Sequence, residues 1–197
     1  MDENLQKTQE EDTGRSLYEW IQALVCSVLA VVLVFTFGVR LIGVDGHSMV
    51  PTLQNADRLL VANPIFYHRY QYGDIVIIHK GAFADGEPIV KRVIATGGQT
   101  VNIDFNTGTV TVDGKNLKEN YINELTRTPE GMNFPLTVPK GSVFVMGDNR
   151  NDSSDSRNPQ LGTVDIRYII GRAFFLAFPG PDINTDKRAF SRIGVLA

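Results

Sequence analysis

Between Trp20 and Val39 lie 20 residues whose apolar character is broken only by Gln22, Ser27, Thr36 and Gly38. At about 1.5 Å per residue a helix of that length covers roughly 30 Å, the thickness of a bilayer core. Tyr18 and Trp20 stand at one end, where interfacial aromatics sit, and Arg40 closes the other. A cleaved secretory leader has an apolar region of about 7–15 residues that ends at a small-x-small site. Here the run continues into Val39-Arg40-Leu41-Ile42 without such an exit. The reading is a retained transmembrane helix over residues 18–40, behind a polar tail over 1–17. That tail is acidic (Asp2, Glu3, Glu10, Glu11, Asp12) and has too little apolar surface to order itself. Lys7 and Arg15 before the span balance Arg40 and Arg58 after it, so charge alone leaves the orientation open.

Residues 41–197 suffice for one compact domain. With 18 glycines and 9 prolines the chain suits strands and turns better than a helical bundle. Short β-rich runs alternate with turn signals: Arg58–Ala62, Ile75–His79, Ile89–Ile94, a hairpin of Thr100–Phe105 with Thr109–Val112, Ser142–Met146 and Ile169–Phe178. Residues 115–136 are polar and irregular, and 99–141 read as a small insertion or cap. Most of Ala173–Phe178 is expected to be a buried strand. The fold class is mainly β, with one N-terminal membrane helix followed by an antiparallel β-rich domain. A net charge of -3 without a basic block points away from nucleic acid. Cys26 is the single cysteine, so no disulfide can close within the chain.

Chemistry is sought first at Gly46-His47-Ser48-Met49-Val50-Pro51-Thr52-Leu53, a turn just beyond the apolar segment. A serine is a useful nucleophile only beside a base. Of the three histidines, His47 is adjacent to Ser48 and so points to the opposite face of extended backbone; His68 lies in an aromatic loop and His79 at a strand end. Lys91 is the better base. Alternation puts Ile89, Lys91 and Val93 on one face and Val90, Arg92 and Ile94 on the other, so a cation is forced among aliphatic side chains. Lowering an amine from about 10.4 to about 8 costs roughly 3 kcal/mol, within reach of desolvation. Arginine cannot be deprotonated in this way. The run Gly147-Asp148-Asn149-Arg150-Asn151-Asp152-Ser153-Ser154-Asp155-Ser156-Arg157 is not a calcium loop, because Arg150 and Ser153 stand where an acid or amide and the glycine are required. Its acids, hydroxyls and arginines fit a hydrogen-bonded scaffold beside an active site.

Taken together, Ser48–Leu53, Gly73-Asp74-Ile75-Val76, Val90-Lys91-Arg92-Val93-Ile94 and Gly147–Arg157 resemble, in order, the signature blocks of the bacterial type I signal peptidases, Ser/Lys membrane proteases. The resemblance implies Ser48 as nucleophile and Lys91 as general base. It implies Ser153 as the hydroxyl orienting that base, Asp155 and Arg157 as a supporting ion pair, and Asp148 holding the loops with Arg92. It further implies a substrate bound as an added β-strand, with Ile42, Val44, Met49, Leu53 and Val90 lining shallow pockets for an Ala-x-Ala pattern. The Ser48 N–H would donate to the oxyanion. Some members carry a second donor two residues before the nucleophile, where this chain has Gly46. The implied partners are exported preproteins and the lipid bilayer, with no metal or organic cofactor, the N-terminus inside the cytoplasmic membrane and the catalytic domain outside. The rivals are a self-cleaving repressor with the same dyad, which would need a DNA-binding head, and a tethered β domain that binds exported peptides without cutting them.

Overall fold

The computed structural model of the chain describes residues 2–67, 69–81, 83–182 and 185–196, with side chains from residue 16 onward except 34. His68 lies outside the described residues. The chain divides into two compact units, Met1–Val39 and Arg40–Ala197.

The first unit is the helix α1 (Asp2–Leu33), which runs into a π-helical turn over Val34–Gly38. Its backbone is helical through the acidic tail, against the expectation of an unordered segment. Glu, Gln, Lys and Leu there are good helix formers, and extending an existing helix avoids the cost of nucleation. The stretch Ser16–Gly38, 23 residues, is long and apolar enough to cross a membrane. Helical geometry stops at Gly38 rather than Arg40, because Val39 and Arg40 belong to strand β1 (Val39–Gly43). Trp20, Leu24, Leu29 and Phe35 are exposed.

The second unit is built on a large sheet. Its strands are Arg40–Gly43 of β1, β2 (Arg58–Ala62), β3 (Ile75–Ile78), β4 (Ile89–Thr96), β9 (Ser142–Met146), β10 (Val164–Asp165), β11 (Ile169–Phe178) and β12 (Gly194–Val195). Their order is β1-β2-β11-β3-β4-β9-β10, with β12 beside β11, and every pairing of known register is antiparallel. All four residues of β3 are buried, as a β-branched run in mid-sheet requires. In β11, Ala173 and Leu176 are buried and Phe174 and Phe175 half-buried, a central strand between β2 and β3. Residues 100–137 form a second sheet, ordered β7-β6-β5-β8, of β5 (Thr100–Asp104), β6 (Thr109–Val112), β7 (Lys115–Asn116) and β8 (Leu136–Thr137). It packs Val101, Ile103, Val110 and Val112 against Ile94, Phe144 and Met146.

Two features of this sheet set up the site. β4 is paired with β3 over Ile89–Arg92 but with β9 only from Arg92 onward, which leaves Ile89–Lys91 without a strand neighbour on that flank among the described residues. β1 ends the strand order, so among the described residues its outer edge is likewise unpaired. The segment between β1 and β2 is pinched shut by Val44 N to Asp57 O and Ala56 N to Val44 O, both 2.8 Å. That closed loop carries Ser48.

Candidate active site

Ser48 sits in a tight turn in which Val50 N donates to His47 O at 3.1 Å and Leu53 N to Met49 O at 2.9 Å. Met49 and Leu53 are buried and anchor the turn in the apolar cluster below the sheet. Gly46 has φ +91°, a left-handed conformation open to glycine, and its N–H donates to Asn55 Oδ1 at 3.0 Å. Position 46 therefore offers no side-chain donor, and its amide is engaged elsewhere.

Lys91 reaches the turn from β4, and its Nζ donates to Ser48 Oγ at 2.7 Å. Lys91 is 3% exposed and Arg92 1% exposed, so both cations on this strand are buried. Burial lowers the Lys91 amine to about 8, against the opposing pull of the Asp155 and Glu130 carboxylates. His47 and His79 are exposed and make no side-chain hydrogen bond to Ser48 among the described residues.

The loop Gly147–Arg157 holds this pair in place from the far side. Asn149 N donates to the Ser48 carbonyl at 3.0 Å, and Asn149 Nδ2 to the His47 carbonyl at 3.1 Å. A Cβ at Gly147 would overlap the Ser153 hydroxyl and the Ser48 carbonyl, so only glycine lets loop and turn approach this closely. Asp155 is fully buried and accepts from Arg157 Nε and Nη2, both 2.8 Å, and from Gly147 N at 2.9 Å. Ser153 was expected to orient the base. Instead its hydroxyl donates to Asp155 Oδ2 at 3.2 Å and makes no hydrogen bond to Lys91 among the described residues. The charged carboxylate is the stronger acceptor and lies two residues away. Glu130 pairs with Arg157 at 3.1 Å; burial and the nearby Asp155 raise its carboxyl above the usual range.

Asp148 lies on the other wall. It takes a forked pair of hydrogen bonds from Arg92, Nε at 2.9 Å and Nη2 at 2.8 Å, and a further one from Thr52 Oγ1. Arg92 Nη1 also donates to Gly73 O at 2.9 Å. Asp74 next to it pairs with Arg172 at 2.8 Å and accepts from Tyr67 Oη at 2.7 Å, so the Gly73–Asp74 turn is a brace. Ile42, Val44, Met49, Leu53 and Val90 gather in one apolar cluster with Leu59, Ile75 and Ile77.

Around Arg150 of the Gly147–Arg157 run, both Glu119 carboxylate oxygens accept from its guanidinium, and the Tyr121 ring lies under the Arg92 guanidinium at 4.1 Å. Two residues of this layer, Tyr121 and Glu119, escaped the sequence reading. The only signal for them was an aromatic residue within a polar stretch, which is too common to single out.

A serine hydroxyl hydrogen-bonded to a buried amine, on a β-rich domain that follows an apolar helix, is an arrangement that a serine hydrolase can use. The chain matches the family described as signal peptidase, peptidase S26, over residues 17–178. It is 36% identical over 191 residues to a signal peptidase I of Bacillus licheniformis, covering 90% of this chain and 98% of that one. It is 36% identical over 196 residues to signal peptidase I T of Bacillus subtilis strain 168, covering 93% and 96%. A signal peptidase I of Bacillus amyloliquefaciens is 35% identical over 200 residues, covering 95% and 100%. The chain belongs to the signal peptidase family, peptidase S26, and is a serine endopeptidase of the signal peptidase I type that removes signal peptides.

Proposed function

We propose that Ser48 and Lys91 form the catalytic dyad, and that the enzyme cuts exported preproteins after an Ala-x-Ala-like site while anchored by residues 16–38. The observation that carries this reading is the 2.7 Å contact between Lys91 Nζ and Ser48 Oγ, made by a lysine that is 3% exposed. When the amine is neutral the hydrogen bond reverses, and the Ser48 hydroxyl donates to the nitrogen lone pair. Lys91 then takes that proton as Ser48 Oγ attacks the scissile carbonyl. The Ser48 N–H, which has no hydrogen-bond acceptor among the described residues, donates to the oxyanion. Lys91 returns the proton to the leaving amine, then takes one from the water that hydrolyses the acyl-enzyme and gives it to Ser48 Oγ as that oxygen leaves.

The substrate lies as an added strand between the outer edge of β1 and the open flank of Ile89–Lys91. Ile42, Val44 and Val90 border the pockets for its small side chains, with Met49 and Leu53 packed beneath them. Ser153, Asp155 and Arg157 keep the loop rigid behind the base, while Asp148 and Arg92 keep the nucleophile turn in register with β4. Anchoring is supported by a helix over Ser16–Gly38 that is long and apolar enough to cross a membrane, which suits lipid rather than water. The catalytic unit then works on the outer face of the cytoplasmic membrane, with the N-terminus inside.

The test is digestion of a purified preprotein by the full chain in detergent, with the new N-terminus sequenced. Ser48→Ala and Lys91→Ala are each expected to abolish the product, and EDTA to leave the rate unchanged. The rate should climb with pH through about 8, as Lys91 loses its proton. Product from either variant, or a limb near the histidine range of about 6.5, would overturn the dyad.

A further inference from the structure

We propose that Tyr121 is a positioning residue for the cleavage reaction, acting through its contact with Arg92. The inference rests on the dyad reading above. Tyr121 comes from the segment between β7 and β8, outside both sheets, yet its ring carries two guanidinia: Arg92 at 4.1 Å and Arg150 at 5.8 Å from the ring centre. Arg92 directly follows Lys91 on β4 and forks onto Asp148. Asp148 in turn holds Thr52 of the nucleophile turn, and the next residue, Asn149, donates to the Ser48 carbonyl at 3.0 Å. Arg150 Nε donates to Gly147 O at 3.1 Å, the glycine against which Ser48 and Ser153 pack. One aromatic ring thus backs two of the arginines that brace the Gly147–Arg157 loop.

The ring is itself held firmly. Tyr121 Oη donates to Glu119 Oε1 at 3.1 Å, and Tyr72 Oη, 3.0 Å away, donates to the Lys118 carbonyl at 3.1 Å. Burial and the Glu119 carboxylate push the Tyr121 phenol well above its ordinary range, so it stays neutral and keeps its donor at all working pH. A planar guanidinium on a π face is fixed in tilt as well as in place. Without the ring, the hydrogen bonds to Asp148 and Gly73 still hold Arg92, but the tilt of its plane over the Asp148 fork loses its backing.

The experiment measures kcat and KM on a preprotein with the full chain in detergent, for wild type, Tyr121→Phe, Tyr121→Leu and Tyr121→Ala, with Ser48→Ala as the control. Tyr121→Leu keeps bulk but no π face. It is expected to lower kcat at least about tenfold with KM within about twofold, while the rising pH limb stays in place. Tyr121→Phe, which keeps the face and loses the hydroxyl, should retain at least about half of wild-type kcat. A Leu variant with kcat within about twofold of wild type, or a Phe variant as impaired as Leu, would overturn the proposal. Should Tyr121→Ala fail to fold, the Leu and Phe pair still decides. Activity in Ser48→Ala would instead sink the dyad reading.

Discussion

A lysine that is to accept a proton near neutral pH must be kept out of water, and the same burial weakens the fold. Below pH 8 the Lys91 amine is charged in both the folded and the unfolded chain, so the full cost, about 3 kcal/mol, falls on the folded state. From about pH 8 to about 10.4 the folded chain gives up a proton that the unfolded chain keeps, and stability rises with pH. Lys91→Met is therefore expected to raise the urea midpoint at pH 7, by up to about 3 kcal/mol of unfolding free energy. That gain should fade by about pH 11, with no activity at any pH. Equal or lower stability at neutral pH would mean that the amine is better solvated than its burial indicates. Glu130 acts on the same residue from outside the Ser48–Lys91 pair, since its carboxylate favours the charged amine. Glu130→Gln removes that charge and leaves Arg157 less neutralised, and both effects lower the Lys91 pKa. The rising limb of the rate should move to lower pH; a limb that moved upward would refute this field effect.

At the scale of elements, the loop Gly147–Arg157 works as one piece because its buried charges, Asp148, Arg150, Asp155 and Arg157, are paired inside it or with its neighbours. Asp148→Ala would leave Arg92 buried without its carboxylate, which typically costs about 3–5 kcal/mol. The denaturant midpoint should fall accordingly, and cleavage with it. Gly147→Ala tests the close approach instead. Its Cβ would meet the Ser153 hydroxyl and the Ser48 carbonyl, with overpacking of about 1–3 kcal/mol. It should depress the cleavage rate far more than it depresses stability, because the shift falls on the turn that carries Ser48, the proposed nucleophile. The strands around this loop were legible in advance: β2 runs Arg58–Ala62 and β9 Ser142–Met146, where β-branched and apolar runs sit between turn residues. The segment 115–136 was not. Its polar residues carry no periodicity, and Glu119 and Tyr121 gain their role only from arginines that arrive from β4 and from the loop.

The whole molecule is two units with different surfaces. The domain Arg40–Ala197 has its own core, in which Leu53, Ile77, Val93 and Phe144 are fully buried. The helix leaves Trp20, Leu24 and Leu29 uncovered. The full chain is expected to stay with phospholipid vesicles through a high-salt wash, and a chain lacking residues 1–38 to remain in the supernatant. Release of the full chain by salt alone would refute hydrophobic anchoring.

Helix and strand type, the apolar span and the short motifs around Ser48, Lys91 and Asp155 are local properties, so they stand in the order of the amino acids and can be read there. Tertiary structure alone decided that residues 43 positions apart share a hydrogen bond. It also decided that Ser153 turns to Asp155, and that Tyr121 backs Arg92. Distance and the exclusion of water are sums over neighbours from separate parts of the chain, and no local pattern encodes such a sum.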